Sequence, residues 1–219
     1  MNRLLPLAVL ALALLAATAG WAAPAQQGTE KNPYKSRGPM GAWVSNGKWM
    51  MRVTRVEYVA DYAAFQKLPW SPRLTAAKRQ EFLPYFEAEL AEKQDQKLAL
   101  ITVEAINLTG AKAEIGTQWP IWCVRCDDGV ESRFGGVSRR QFTDVDTIGQ
   151  ERARQVSWFL KGGMPSSDKL NPKGRTGGII AFFIPSYAKA RLLFFRWAGT
   201  NDSTWGKDES LVIQLDRKK

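Results

Sequence analysis

Apolar residues crowd most densely between Gly178 and Trp197. Phe182, Phe183 and Ile184 are consecutive, and so are Leu192, Leu193, Phe194 and Phe195. The pattern predicts a strand from Gly178 to Ile184, a break at Pro185, and a second strand from Ala190 to Trp197. Neighbouring residues on a strand point to opposite faces, so both strands carry apolar side chains on both sides. One face of each fits a sandwich core. The other needs a helix, a loop or a partner protein to cover it.

Upstream, Leu98 to Leu108 places Ile101, Val103 and Ala105 on one face and Thr102 and Glu104 on the other. Trp49 to Ala60 is a strand of imperfect alternation that fits a sheet edge. Asn46-Gly47 marks a tight turn before it. Trp119 to Val124 is a further strand, with Pro120 arguing for an edge, a bulge or a strand start. Asp127-Asp128-Gly129 turns the chain into Val130 to Phe134. Arg154 to Leu160 reads as another short strand, between a long loop over 135–151 and a Gly/Pro/Ser loop over 161–176. Leu211 to Leu215 alternates cleanly, with Leu211, Ile213 and Leu215 inward.

Residues 61–97 break the strand pattern. Thr75 fits a helix cap, and Phe82, Tyr85, Phe86 and Leu90 form one stripe at helical spacing. Pro84 falls inside that stripe, where it kinks or interrupts a helix unless it belongs to the first turn. Packing against the sheet is the simpler role for the stripe; docking a partner is the alternative. Seven or eight short strands with one helical insertion predict a mainly β fold, with antiparallel layers packed face to face.

The N-terminus predicts export. Arg3 precedes a Leu/Ala/Val run from Leu4 to Ala17, then small residues with cleavage points after Ala19, Ala22 or Ala25. The run is shorter than the ~20 residues a membrane-crossing helix needs, which ranks an anchor below a signal peptide. With 1–25 as signal peptide, residues 26–48 read as a flexible lead-in. Residues 49–219 then form a single sandwich domain carrying the 61–97 insertion. Loss of Arg3 takes the formal charge from +10 to +9. Such a chain is drawn to anionic surfaces, whereas export and scattered basic residues argue against nucleic acid. The expected location is periplasmic or secreted, in a bacterium, with no transmembrane span in the mature chain.

The order of elements resembles that of exported immunoglobulin-like β-sandwich proteins of bacteria, grouped with the telokin-like and immunoprotective extracellular type. The matching segments are Asn107 to Gly110, the Asp127-Asp128-Gly129 hairpin, Leu170 to Gly174 followed by Gly178 to Pro185, and Ala190 to Phe195. The resemblance spans about 49–60 and 98–215, and residues 61–97 depart from it. It implies an immunoglobulin-like sandwich acting in the cell envelope as a binding or assembly domain, and it carries no catalytic motif.

Chemistry enters mainly through what the chain lacks. The sequence contains no His, which removes the commonest general base and metal ligand. Asp127 with Asp128, and Asp144 with Asp146, leave a hydrolase using carboxylates alone as an alternative. Turn capping is the plainer role for both pairs, and neither forms a twelve-residue calcium loop. Gly162-Gly163 and Gly177-Gly178 lack phosphate-loop spacing, so no cofactor is expected. Cys123 and Cys126 are the only cysteines. A local disulfide suits an oxidising compartment, provided a turn or bulge at Val124-Arg125 brings the two together. Of nine tryptophans, Trp70 and Trp205 sit among Pro, Gly and polar residues, with Arg73 and Lys207 nearby in sequence. These four, with Tyr85, are the candidate contacts for a protein partner or a cell-wall glycan. The preferred function is a non-catalytic module engaging an envelope protein or a second copy of itself; a glycan-binding module is the alternative.

Overall fold

The structure is a computed structural model that describes residues 27–72, 74–114, 121–134, 147–161, 169–196 and 210–216. In chain order its strands begin with β1 (Tyr34–Lys35), β2 (Arg37–Pro39), β3 (Val44–Ser45), β4 (Trp49–Val59) and β5 (Gln96–Asn107). They continue as β6 (Ala113–Glu114), β7 (Ile121–Cys126), β8 (Glu131–Phe134), β9 (Lys169–Leu170), β10 (Arg175–Pro185), β11 (Ala190–Arg196) and β12 (Ser210–Gln214). The helices are α1 (Tyr62–Gln66), α2 (Ala76–Glu87), which runs on into a π-helical turn (Ala88–Lys93), and α3 (Thr147–Phe159).

Two five-stranded sheets form an immunoglobulin-like sandwich. One runs β1-β3-β4-β5-β10 and the other β2-β12-β11-β7-β8. Pairing is antiparallel except for the short contacts of β1 with β3 and of β2 with β12. The lead-in expected over 26–48 contributes β1, β2 and β3 and buries Trp43. Before β4, Asn46 Oδ1 accepts from the backbone N–H groups of Lys48 (3.0 Å) and Trp49 (2.8 Å), and Gly47 takes φ +84°. That is the tight turn the Asn-Gly pair predicts.

Alternation along the strands divides the apolar residues between two cores. Trp49, Met51 and Val53 of β4, Ile101 and Val103 of β5, and Ile180, Phe182 and Ile184 of β10 face the second sheet. They meet Trp122, Val124, Leu193, Phe195, Leu211 and Ile213 there. The intervening residues Leu98, Leu100, Ala181 and Phe183 face outward into a second core with the helices. This resolves the two-sided apolar pattern of β10. Phe86 stacks on Phe183 at 5.4 Å, Phe65 stacks on Phe86 at 4.3 Å, and Phe82 stacks on Phe159 at 5.7 Å. The predicted stripe of α2 is therefore sheet-packing surface, with Phe82, Phe86 and Leu90 buried and Tyr85 half-buried. Thr75 caps α2 by accepting from the Lys78 N–H at 3.3 Å. Pro84 lies inside the helix, which loosens into the π-helical turn four residues later.

Two expectations need correction. Arg154 to Phe159 is part of α3 and not a strand, and Leu160 just beyond it makes only an isolated bridge to Trp70. Val156, Trp158 and Leu160 alternate over five residues, but the buried face is Ala153, Val156, Ser157 and Leu160, spaced three and four apart, and Trp158 is 46% exposed. The helix also guards a sheet edge. Ser157 Oγ accepts from the Ala181 N–H of β10 at 2.8 Å, and Ser132 Oγ of β8 donates to the Phe183 carbonyl at 2.6 Å. Edge groups of β10 are thus satisfied by two buried hydroxyls instead of another strand.

The disulfide is the second correction. Cys123 and Cys126 are buried free thiols. Val124-Arg125 makes no turn, because β7 continues through Cys126 with Trp122 to Arg125 in unbroken register against β8. Residues three apart on such a strand point to opposite faces. Cys126 lies with Trp122 and Val124 in the core between the sheets, and Cys123 belongs to the other side.

Candidate functional site

Since β10 and β11 belong to different sheets, residues 186–189 carry the chain across one end of the sandwich. This crossover meets the 127–129 turn, the end of β4 and the start of β5, and the hydrogen bonds there fix it from several sides. The Asp127 N–H donates to the Lys189 carbonyl at 3.0 Å, and the Lys189 N–H returns to Asp127 Oδ1 at 2.9 Å. Lys97 Nζ donates to the Ser186 carbonyl at 2.7 Å, and the Ser186 N–H donates to the Asp95 carbonyl at 2.8 Å. Tyr58 Oη accepts from the Ala190 N–H at 3.0 Å, while Lys97 Nζ lies 4.9 Å from the Tyr58 ring centre.

The acidic pair performs the capping its turn chemistry predicts. Asp128 Oδ1 accepts from the Val130 N–H at 2.9 Å, and Gly129 takes φ +91°, a conformation that favours glycine. Hydrogen bonding from the Lys189 N–H holds the Asp127 carboxyl below the usual carboxylate range. Both carboxylates are committed to backbone, which leaves them poorly placed for acid–base work. Burial pushes the Cys126 thiol up to about 12, with the Asp128 and Asp127 charges adding to the shift. Such a thiol is a poor nucleophile.

Tyr187 projects from the middle of the crossover and is 73% exposed. The neighbouring Asp128 side chain raises the phenol above its ordinary value, since ionisation would set a phenolate beside a carboxylate. Tyr58, 40% exposed, is raised too, chiefly by burial. The geometry is a braced aromatic tip with charged groups around it. Among the described residues, no group of three or more His, Cys, Asp or Glu side chains is arranged to hold a metal ion. No helix among them is long and apolar enough to cross a membrane.

The sequence-based contact candidates fall elsewhere. Trp70 is half-buried against the helical core, 5.1 Å from Phe65 and 5.9 Å from Phe82, with its indole N–H donating to the Gln66 carbonyl at 3.2 Å. The Arg79 guanidinium lies 5.7 Å from its ring. Tyr85 packs edge-on to Phe86 and Phe183 in the same core. Arg73, Trp205 and Lys207 lie outside the described residues, as do the leader over 1–25, Asp144, Asp146, Trp119, Trp197 and Gly162-Gly163. Sequence reasoning passed over Tyr187, whose signal was an aromatic in the Pro-Ser-Tyr-Ala turn joining the two most apolar strands.

Two segments of the family-like pattern converge at one residue. Asn107 is fully buried; its Nδ2 donates to the carbonyls of Ala111 and Leu170 (both 2.9 Å) and Asn171 (3.2 Å). Its Oδ1 accepts from the N–H (2.9 Å) and hydroxyl (2.7 Å) of Thr109. Asn107 thereby ties the 107–110 step to the 170–174 turn, a structural task.

No protein-family model matches the chain, and no curated protein matches it. Among solved structures it is similar to the yjhA protein from Bacillus subtilis, at 13% identity and a TM-score of 0.38, over 84% of this chain and 99% of that one. It is also similar to an uncharacterized beta-sandwich protein from Clostridium difficile 630, at 10% identity and a TM-score of 0.38, over 86% of this chain and 99% of that one.

Proposed function

We propose that this chain is an exported, non-catalytic binding or assembly module of the cell envelope, and that it engages a protein partner through the Tyr187 end of the sandwich. The observation that carries this reading is Tyr187 itself, a large aromatic side chain mostly in solvent on a turn that is already ordered. Binding normally has to immobilise loops and side chains, at about 0.5–1.5 kcal/mol for each rotamer-rich side chain. Here the pair of hydrogen bonds between Asp127 and Lys189, with the Lys97 contact to the Ser186 carbonyl, has done much of that for the turn before a partner arrives. Tyrosine is also among the residues that dominate protein interfaces.

The predicted signal peptide supports export. The packed position of Trp70 weakens the glycan alternative at that residue, since little of its ring face is left to stack on a sugar. The test is affinity capture from an envelope extract of the source bacterium, with wild type and Tyr187→Ala in parallel. A protein retained by the wild type and lost by the variant supports the reading. A set of retained proteins that is identical for the two counts against it.

A further inference from the structure

One long sheet edge is left uncovered among the described residues. Ser157 and Ser132 close the edge of β10. On the far side of the same sheet, β3 pairs with β4 only at Met50 and Met51, and the Gly41 N–H reaches the Val53 carbonyl at 2.8 Å. Beyond a bulge between Val53 and Arg55, β4 runs in regular register against β5 from Arg55↔Thr102 to Val59↔Leu98. Thr54, Arg55, Glu57 and Tyr58 on that stretch are exposed. A regular edge of this kind presents free N–H and C=O groups to any strand that can lie beside it.

The side chains indicate which strand fits. Arg55 and Glu57 share the outer face, where their side chains form an ion pair at 2.6 Å. Val56 between them turns toward the sandwich core. We propose that this edge pairs antiparallel with the same edge of a second copy, about a two-fold axis at Val56. Placing Val56 opposite Val56 of the copy sets Arg55 opposite Glu57, and Glu57 opposite Arg55. Directly opposed residues of an antiparallel pair have Cβ atoms about 4.5–5.5 Å apart, and opposite charges there are favourable. A two-fold interface requires one patch to complement itself, and Arg55-Val56-Glu57 does so. Natural edges are often guarded by charge that repels strands; two opposite charges flanking the axis attract a copy instead. Tyr58 borders both this edge and the Tyr187 end, but the pairing rests on Arg55 and Glu57 and not on the Tyr187 reading, so either can fail without the other.

The test uses single charge reversals and their mixture. Arg55→Glu puts Glu opposite Glu twice in a homodimer, and Glu57→Arg puts Arg opposite Arg twice. Both side chains are solvent-exposed, and thermal melts verify that the variants keep the fold. Sedimentation equilibrium of the signal-free chain should show a concentration-dependent dimer for the wild type. Each variant alone should associate roughly tenfold or more weakly. An equimolar mixture of the two variants should recover association, because each variant then meets the opposite charge on its partner. The ion pair within a single strand cannot be restored by mixing, so recovery identifies the contact between copies. A wild type that stays monomeric across the soluble range overturns the proposal, as do variants that dimerise like wild type or a mixture that stays as weak as its components.

Discussion

Ser157→Ala tests whether α3 is a structural part of the sheet edge. The Ser157 oxygen is the acceptor for the Ala181 N–H at 2.8 Å, and both residues are fully buried. Removing it leaves a buried donor without its acceptor, a loss of about 1–3 kcal/mol for an unsatisfied buried group. The same change improves the helix, since alanine is a better helix former than serine by roughly 0.5 kcal/mol. The volume lost is one oxygen, so a cavity adds little. The net expectation is a fall of about 0.5–2.5 kcal/mol, which for a chain of this size is a melting shift of about 1–10 °C. Urea unfolding gives the free energy, and amide hydrogen exchange at Ala181 gives the local effect. Unchanged protection at Ala181, together with stability equal to or above wild type, would refute the edge-cap assignment, because helix propensity would then be the whole effect.

Other consequences follow from the same packing. Phe183→Ala should cost about 3–5 kcal/mol in denaturant unfolding, because the ring is buried against Phe86 and Tyr85. Deleting residues 61–97 should give a chain that aggregates or binds hydrophobic dyes, since it bares Leu98, Leu100, Ala181 and Phe183; a soluble, cooperatively melting deletion variant would contradict the two-core description. Iodoacetamide without reductant should add two groups per chain after unfolding in guanidinium, and none at neutral pH in the native state. Failure to label the unfolded chain would reveal a disulfide. Asp127 has a folded pKa below its unfolded value of about 3.9, so the unfolded state binds the proton more readily. Its contribution to stability is present above that value and lost as pH falls through the folded one. Asp127→Asn should flatten the acid limb of stability against pH, and an unchanged limb would remove the Lys189 N–H contact as its cause.

Much of the fold is legible in the sequence because alternation is a strong signal when a strand is long. Ile101, Val103 and Ala105 of β5 sit where their spacing puts them, and Leu211, Ile213 and Leu215 do the same near the end of the chain. The apolar outer face of β10 announces a cover, and the Phe82–Leu90 stripe supplies part of it. The second part, α3, is hidden because Val156, Trp158 and Leu160 mimic strand alternation over five residues. Only the wider window from Ala153 shows the helical face. Cysteine spacing suggests a local link, yet an unbroken strand through both residues separates their side chains. The candidate site was least readable. Trp70 and Tyr85 look available in sequence but are claimed by the helical core, while Tyr187 becomes prominent only once β10 and β11 part into different sheets.

The contact surface is tested most directly by titrating the captured partner against three proteins: wild type, Tyr187→Ala and Tyr85→Ala. Tyr187→Ala should weaken binding about 30-fold or more, as for a central aromatic anchor worth at least about 2 kcal/mol, while Tyr85→Ala leaves the affinity of the folded protein near wild type. Loss of binding in Tyr85→Ala with none in Tyr187→Ala would contradict that assignment and place the contact on the helical cover.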